Sequence, residues 1–148
     1  MGLLRSSFQL TLEAARTVLD GVISEAVRQG VAVNVAVVDQ GANLLAFARM
    51  DGAPLLSSTI AQNKAYTAAA FGKGTHEWYP MIAKEPALLH GIVHTDRLVI
   101  FAGGLPIEVE ARLLGGVGVS GGSAEQDLAC ARAGIEAFRK ALGSEPHA

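Results

Sequence analysis

Arg49 offers a planar guanidinium and Lys64 an ammonium. A fold that brings the two together has a clamp for a ligand carboxylate, bidentate at the arginine and a point charge at the lysine. Thr67 follows Lys64 by three residues and shares its helical face, while Asp39 and Asp51 flank the arginine in sequence. A second reading of the same residues stays open. Asp39 caps its own turn, and Arg49 and Lys64 pair with Asp39 or Asp51 without holding a ligand.

Around that clamp, Gly103, Gly104, Ser120 and Gly121 are expected to offer backbone donors, and His94 or Glu108 to move a proton. His90 and His94 form an H-x-x-x-H pair, but Gly91, Ile92 and Val93 between them weaken a helix and no third ligand stands nearby, so no metal site is expected. Met50, Trp78 and Tyr79 read as packing residues.

The stretch GGVGVSGG matches two catalytic patterns and satisfies neither. Gly116 to Gly121 fits G-x-G-x-x-G, yet no further strand follows to bring an acid to a ribose. Gly118 to Gly122 fits the nucleophile elbow G-x-S-x-G, yet the only downstream histidine is His147 in the tail. The plainer reading is a strand in which glycines permit close backbone approach.

The elements that must position these residues follow from periodicity and caps. Leu12, Ala15, Leu19, Val22, Ala26 and Val27 recur at helical spacing between Thr11 as N-cap and Gly30 as stop. Val33–Asp39 and Leu44–Arg49 form a hairpin across Gln40-Gly41. Leu55 to Phe71 is an alanine-rich helix closed by Gly72, and a short helix starts at Thr75. Residues 85–95 read as irregular. Leu98–Ala102, Pro106–Val109 and Leu113–Ser120 read as strands, with Gly103-Gly104 as a turn. Ser123 and Gln126 make a capping box for a last helix running through Leu142. The order is α-ββ-αα-βββ-α with hairpin links, hence a largely antiparallel sheet carrying helices.

The 148 residues are enough for one core, and the chain reads as a single domain, 1–148, with 1–10 and 143–148 as flexible ends. Twelve basic against fourteen acidic residues give a net charge of -2, which provides no footprint for nucleic acid or an anionic membrane surface. Cys130 is the only cysteine, which excludes an internal disulfide and suits a reducing, cytoplasmic setting. Half the residues are hydrophobic and only 18% charged. A small chain of that kind retains apolar surface best buried between subunits, so a homo-oligomer, a dimer or larger, is expected.

VAVVDQGANLLAFARMDGA, SSTIAQNKAYTAAAF, GGLPI and GGVGVSGGSAEQDLACARAG, in that order, resemble the GlcG/HbpS family, which includes the C-terminal domain of PduO-type cobalamin adenosyltransferases. The resemblance runs from about Thr11 to Leu142 and implies a profilin-like three-layer α/β/α sandwich, α+β in class, with a five-stranded antiparallel sheet. It also implies assembly into dimers or rings. Two functions are compatible with it. One is a cytoplasmic protein that binds or transforms a small organic acid in a catabolic pathway; the other is a haem or tetrapyrrole binding protein without turnover. No histidine precedes His76, so the first helix offers no histidine to haem iron.

Overall fold

The computed structural model describes residues 2–145; His147 and the rest of the tail beyond Glu145 lie outside them. Helix α1 (Leu12–Gln29) starts where the Thr11 hydroxyl accepts the Ala14 amide at 3.1 Å and stops at Gly30 in the left-handed conformation. Strands β1 (Asn34–Asp39) and β2 (Leu44–Arg49) form the expected hairpin. Helix α2 (Leu56–Phe71) ends at Gly72, again left-handed. A 3-10 turn (Thr75–Glu77) runs into α3 (Trp78–Ile82). Then come α4 (Pro86–Ile92), β3 (Gly104–Val109), β4 (Arg112–Ser120) and α5 (Ala124–Gly143). The capping box of α5 is present, with both bonds between Ser123 and Gln126 formed.

The sheet is antiparallel in the order β2-β1-β4-β3. It has four strands, a correction to the five expected. Leu98–Ala102 is β-branched and apolar but does not join the sheet. Thr67 on α2 takes its place as partner: the hydroxyl accepts the Val99 amide and donates to the Arg97 carbonyl, both at 3.0 Å. The Val99 amide, which a sheet partner would otherwise bond, is met by a helix side chain instead. Pro86–Ile92 is a second correction, helical where irregular chain was expected. Pro86 sits at the first helical position, where its fixed φ suits the helix and its missing N–H costs nothing.

Alternation along the strands assigns the two faces. Val35, Val37, Val117 and Val119 are fully buried against α1 and α5, each contributing about 1.5–3 kcal/mol by its burial. Ala36 and Val38 point the other way, onto Ala65 and Ala69 of α2. On β4 that second face carries Gly116 and Gly118, and α2 lies directly on them. A Cβ at Gly118 would meet the Ala61 carbonyl oxygen and lie 2.5 Å from the Ala65 nitrogen. Gly116 and Gly118 of GGVGVSGG therefore belong to a strand that a helix backbone touches, and not to a phosphate loop, while Gly121 and Gly122 follow the end of that strand.

Gly118→Ala should destabilise the protein by about 1–3 kcal/mol through overpacking. Gly143→Ala, with open space around its Cβ, should stay within about 0.5 kcal/mol of wild type. Urea unfolding followed by circular dichroism checks both.

Candidate functional site

β1 and β3 begin, and β2 and β4 end, at the same edge of the sheet. Asn34 there lies opposite Arg49 on one side and Ser120 on the other. The chain leaving β2 enters α2, and the chain leaving β4 enters α5. Four separated motifs, around Arg49, Lys64, Gly103 and Ser120, thus meet at one end of the molecule.

A buried ion pair lies at their centre. The Lys64 Nζ, 1% exposed, donates to the Val119 carbonyl at 2.8 Å and to Asp127 Oδ2 at 3.0 Å. Asp127 Oδ1 accepts the Gly122 amide at 2.9 Å. The Phe101 ring centroid is 5.0 Å from the same nitrogen. Burial lowers the Lys64 pKa and raises that of Asp127, each shift opposed by the attraction of the partner charge. Gly103, at φ 125°, makes room for the pair: a Cβ there would lie 2.7 Å from Nζ.

The pair redefines the residues expected to form a carboxylate clamp. The amine of Lys64 is committed to Asp127. Arg49 is exposed, with only a long contact of 3.5 Å to the Ala53 carbonyl. Asp39 sits at the opposite end of β1, where its Oδ1 accepts the Asn43 amide at 2.9 Å, and so caps its turn. Asp51 is exposed in the turn between β2 and α2. Among the described residues the ion pairs are Lys64–Asp127 and Arg28–Glu25, so neither Arg49 nor Lys64 pairs with Asp39 or Asp51. Thr67 is turned to the Arg97–Val99 segment.

The expected backbone donors are largely taken. The Gly104 amide bonds Thr75 Oγ1 at 2.9 Å, and the Gly121 amide supports the Asp127 carboxylate. Ser120 is buried beside Asn34, whose side chain is held by Pro54 and Ser58 at 3.0 Å each. His90 and His94 are exposed, His94 beyond the end of α4. Glu108 is exposed on β3 and lines a cleft of about 590 Å³ between β3 and α5. Gly74, Glu77, Leu105, Arg132 and Arg139 also line it. His76 abuts this cleft in sequence, between Gly74 and Glu77, and its Nδ1 is buried without a hydrogen-bond partner. Trp78 packs against Phe71 with ring centroids 4.5 Å apart and planes tilted by 44°, and Met50 packs under β1, as packing residues do, whereas Tyr79 is exposed. No cluster of three or more His, Cys, Asp or Glu placed to hold a metal occurs among the described residues.

Asp127 is the residue that sequence reasoning missed. It heads the buried stripe of α5, followed by Cys130, Ala131, Gly134, Ile135 and Phe138. A carboxylate at a core position of an amphipathic helix was the available signal, since buried charges are paired.

An antiparallel sheet with two helices on one face and one on the other, with a buried ion pair at the strand ends, defines a small α+β class of domain. Residues 10–136 match the family described as haem degrading protein HbpS-like, and the chain belongs to that family. It is 41% identical over 131 residues to an uncharacterised 15.0 kDa protein from the dhaT-dhaS intergenic region of Citrobacter freundii, spanning 87% of this chain and 92% of that one. The Klebsiella pneumoniae protein ORFY superposes with a TM-score of 0.88 at 37% identity, covering 94% of this chain and 97% of that one. A crystal structure of a PduOC–haem complex superposes with a TM-score of 0.81 at 32% identity, covering 88% and 95%.

Lys64→Met should cost about 3–5 kcal/mol, because it leaves the Asp127 carboxylate buried and uncompensated. Adding Asp127→Asn should recover at least half of that loss in chemical denaturation, since the amide side chain still accepts from Gly122. Cys130 is fully buried, and burial pushes its thiol up to about 11. A disulfide reagent at pH 8 should therefore label it only in denaturant.

Proposed function

We propose that this protein binds haem or a closely related tetrapyrrole, without turnover, in the cleft between β3 and α5. The observation that carries this reading is the likeness, over 88% of the chain, to a domain solved with haem. The chain's own residues support the location. The cleft volume of about 590 Å³ falls within the usual range for ligand sites. Arg132 and Arg139, seven apart on α5, share one face and suit a pair of carboxylates. Leu105, Pro106 and Ile135 give an apolar wall. Helix α1 holds no His, Cys, Met or Tyr, so an axial donor must come from elsewhere. His76 is the histidine with an unmet nitrogen beside the cleft.

A small organic acid is the second reading, favoured by the same two guanidiniums rather than by Arg49 and Lys64. No helix is long and apolar enough to cross a membrane among the described residues, and a cytoplasmic setting suits the reduced Cys130. The protein works as a homo-oligomer in this proposal. Helix α4 buries none of its residues, and Leu55, Leu56, Phe71, Tyr79, Met81 and Phe101 are exposed on or near the α2 side.

Haem titration should give a Soret band that saturates. His76→Ala should alter that band and weaken binding, and the double variant Arg132→Ala/Arg139→Ala should weaken it about ten- to a hundredfold by loss of charge-assisted bonds. His94→Ala should change neither. Absence of a saturable band in wild type, or a His76→Ala spectrum identical to wild type, defeats the reading. Light scattering at micromolar concentration should return a mass above the monomer.

A further inference from the structure

A second concavity lies on the opposite flank of α5, under the segment that leads into α1. Two cavities meet there, of about 340 and 430 Å³, and both are lined by Phe8, Arg112 and Leu114. Their chemistry differs. The first has an apolar floor of Leu10, Ala14, Val109, Phe138 and Leu142. The second is lined by Arg5, Ser6, Ser7 and Gln40 beside Arg112, with no acidic residue. Glu110 and Glu145 border only the first.

Phe8 borders both compartments. It is 65% exposed, and its ring centroid lies 4.9 Å from the Arg112 guanidinium carbon. Neither Arg5 nor Arg112 forms an ion pair among the described residues. Arg112 follows the two-residue turn between β3 and β4, where Glu110 and Ala111 sit at φ 50° and 60°, the geometry such a hairpin requires.

We propose that this groove binds an amphipathic carboxylate, a molecule with an apolar chain or ring and a carboxylate head. Separation of charge sets its direction. The head lies between Arg5 and Arg112, where no acid opposes it, and the apolar body enters the compartment floored by Leu114 and Phe138. Phe8, beside Arg112 in an exposed cation–π contact, lines the way from the head to the apolar compartment. Glu110 and Glu145 exclude a second anionic end from the apolar compartment, so a monocarboxylate is preferred over a long dicarboxylate. The site is separate from the cleft carrying Arg132 and Arg139, and its occupancy does not depend on haem binding there.

Octanoate is the probe, followed by calorimetry and by chemical-shift changes of backbone amides. One octanoate should bind per chain, with shifts centred on Phe8, Arg112 and Leu114, and acetate should bind at least about tenfold more weakly because it leaves the apolar compartment empty. Arg112→Ala should weaken octanoate about tenfold or more. Ala14→Phe, which fills the floor, should abolish binding. Should Ala14→Phe melt early, Phe8→Ala serves instead and should weaken octanoate but not acetate. Arg49→Ala, exposed on β2 and outside both cavities, should leave octanoate binding unchanged. No saturable octanoate binding by the wild type, or wild-type affinity in Arg112→Ala, overturns the proposal whatever the outcome with haem.

Discussion

A lysine amine and an aspartate carboxylate 3.0 Å apart, both withdrawn from water, set the terms for the rest of this structure. Removing two charges from solvent costs several kcal/mol per ion unless attraction and further hydrogen bonds offset it. Here the offsetting partners are the Val119 carbonyl and the Gly122 and Gly121 amides, all at the end of β4. Lys64 comes from the helix on one face of the sheet and Asp127 from a helix on the other. Their pairing fixes how both helices sit relative to the end of β4. It demands glycine at position 103, where any side chain would collide with Nζ. It also depends on α2 lying close enough to the sheet for the amine to reach, and Gly116 and Gly118 permit that approach.

Helix α5 carries several duties because of this anchoring. Its first turn holds the carboxylate of the pair, its capping box fixes where it starts, and its buried stripe packs on α1 and the sheet. One exposed flank presents Arg132 and Arg139 to the cleft beside β3, while Phe138 and Leu142 floor the groove under the leading segment. A helix held rigidly at its N-terminus and along its core face is a stable scaffold for side chains that meet ligands on its flanks. Leu10 is buried in the core at the end of an otherwise exposed leading segment, residues 2–9.

Much of this could be read along the chain. Thr11 and Gly30 bounded α1, the Ser123–Gln126 box started α5, and Asp39 closed its turn as the plainer of its two readings said. Gly115, Gly116 and Gly118 of GGVGVSGG lie in a strand, as weighing two catalytic patterns against their missing partners implied, and Gly121 and Gly122 follow its end. Local readings failed where a distant side chain settled the matter. Leu98–Ala102 has strand composition, but its Val99 amide is taken by Thr67, 32 residues away. Residues 86–92 contain glycine and proline, yet the proline falls at the one helical position that favours it.

Residue types and spacings along the chain determined the caps, the hairpin, the antiparallel character of the sheet and the family, because each depends on contacts within a few residues or on a linear pattern. Tertiary structure alone decided which charges face each other. Lys64 and Asp127 are separated by 63 residues, and no local propensity encodes such a pairing. The same holds for the two concavities flanking α5, whose walls come from segments far apart in sequence. A cavity exists only once those segments are packed, and whether an arginine is free for a ligand or committed to an acid is settled by the packing that surrounds it.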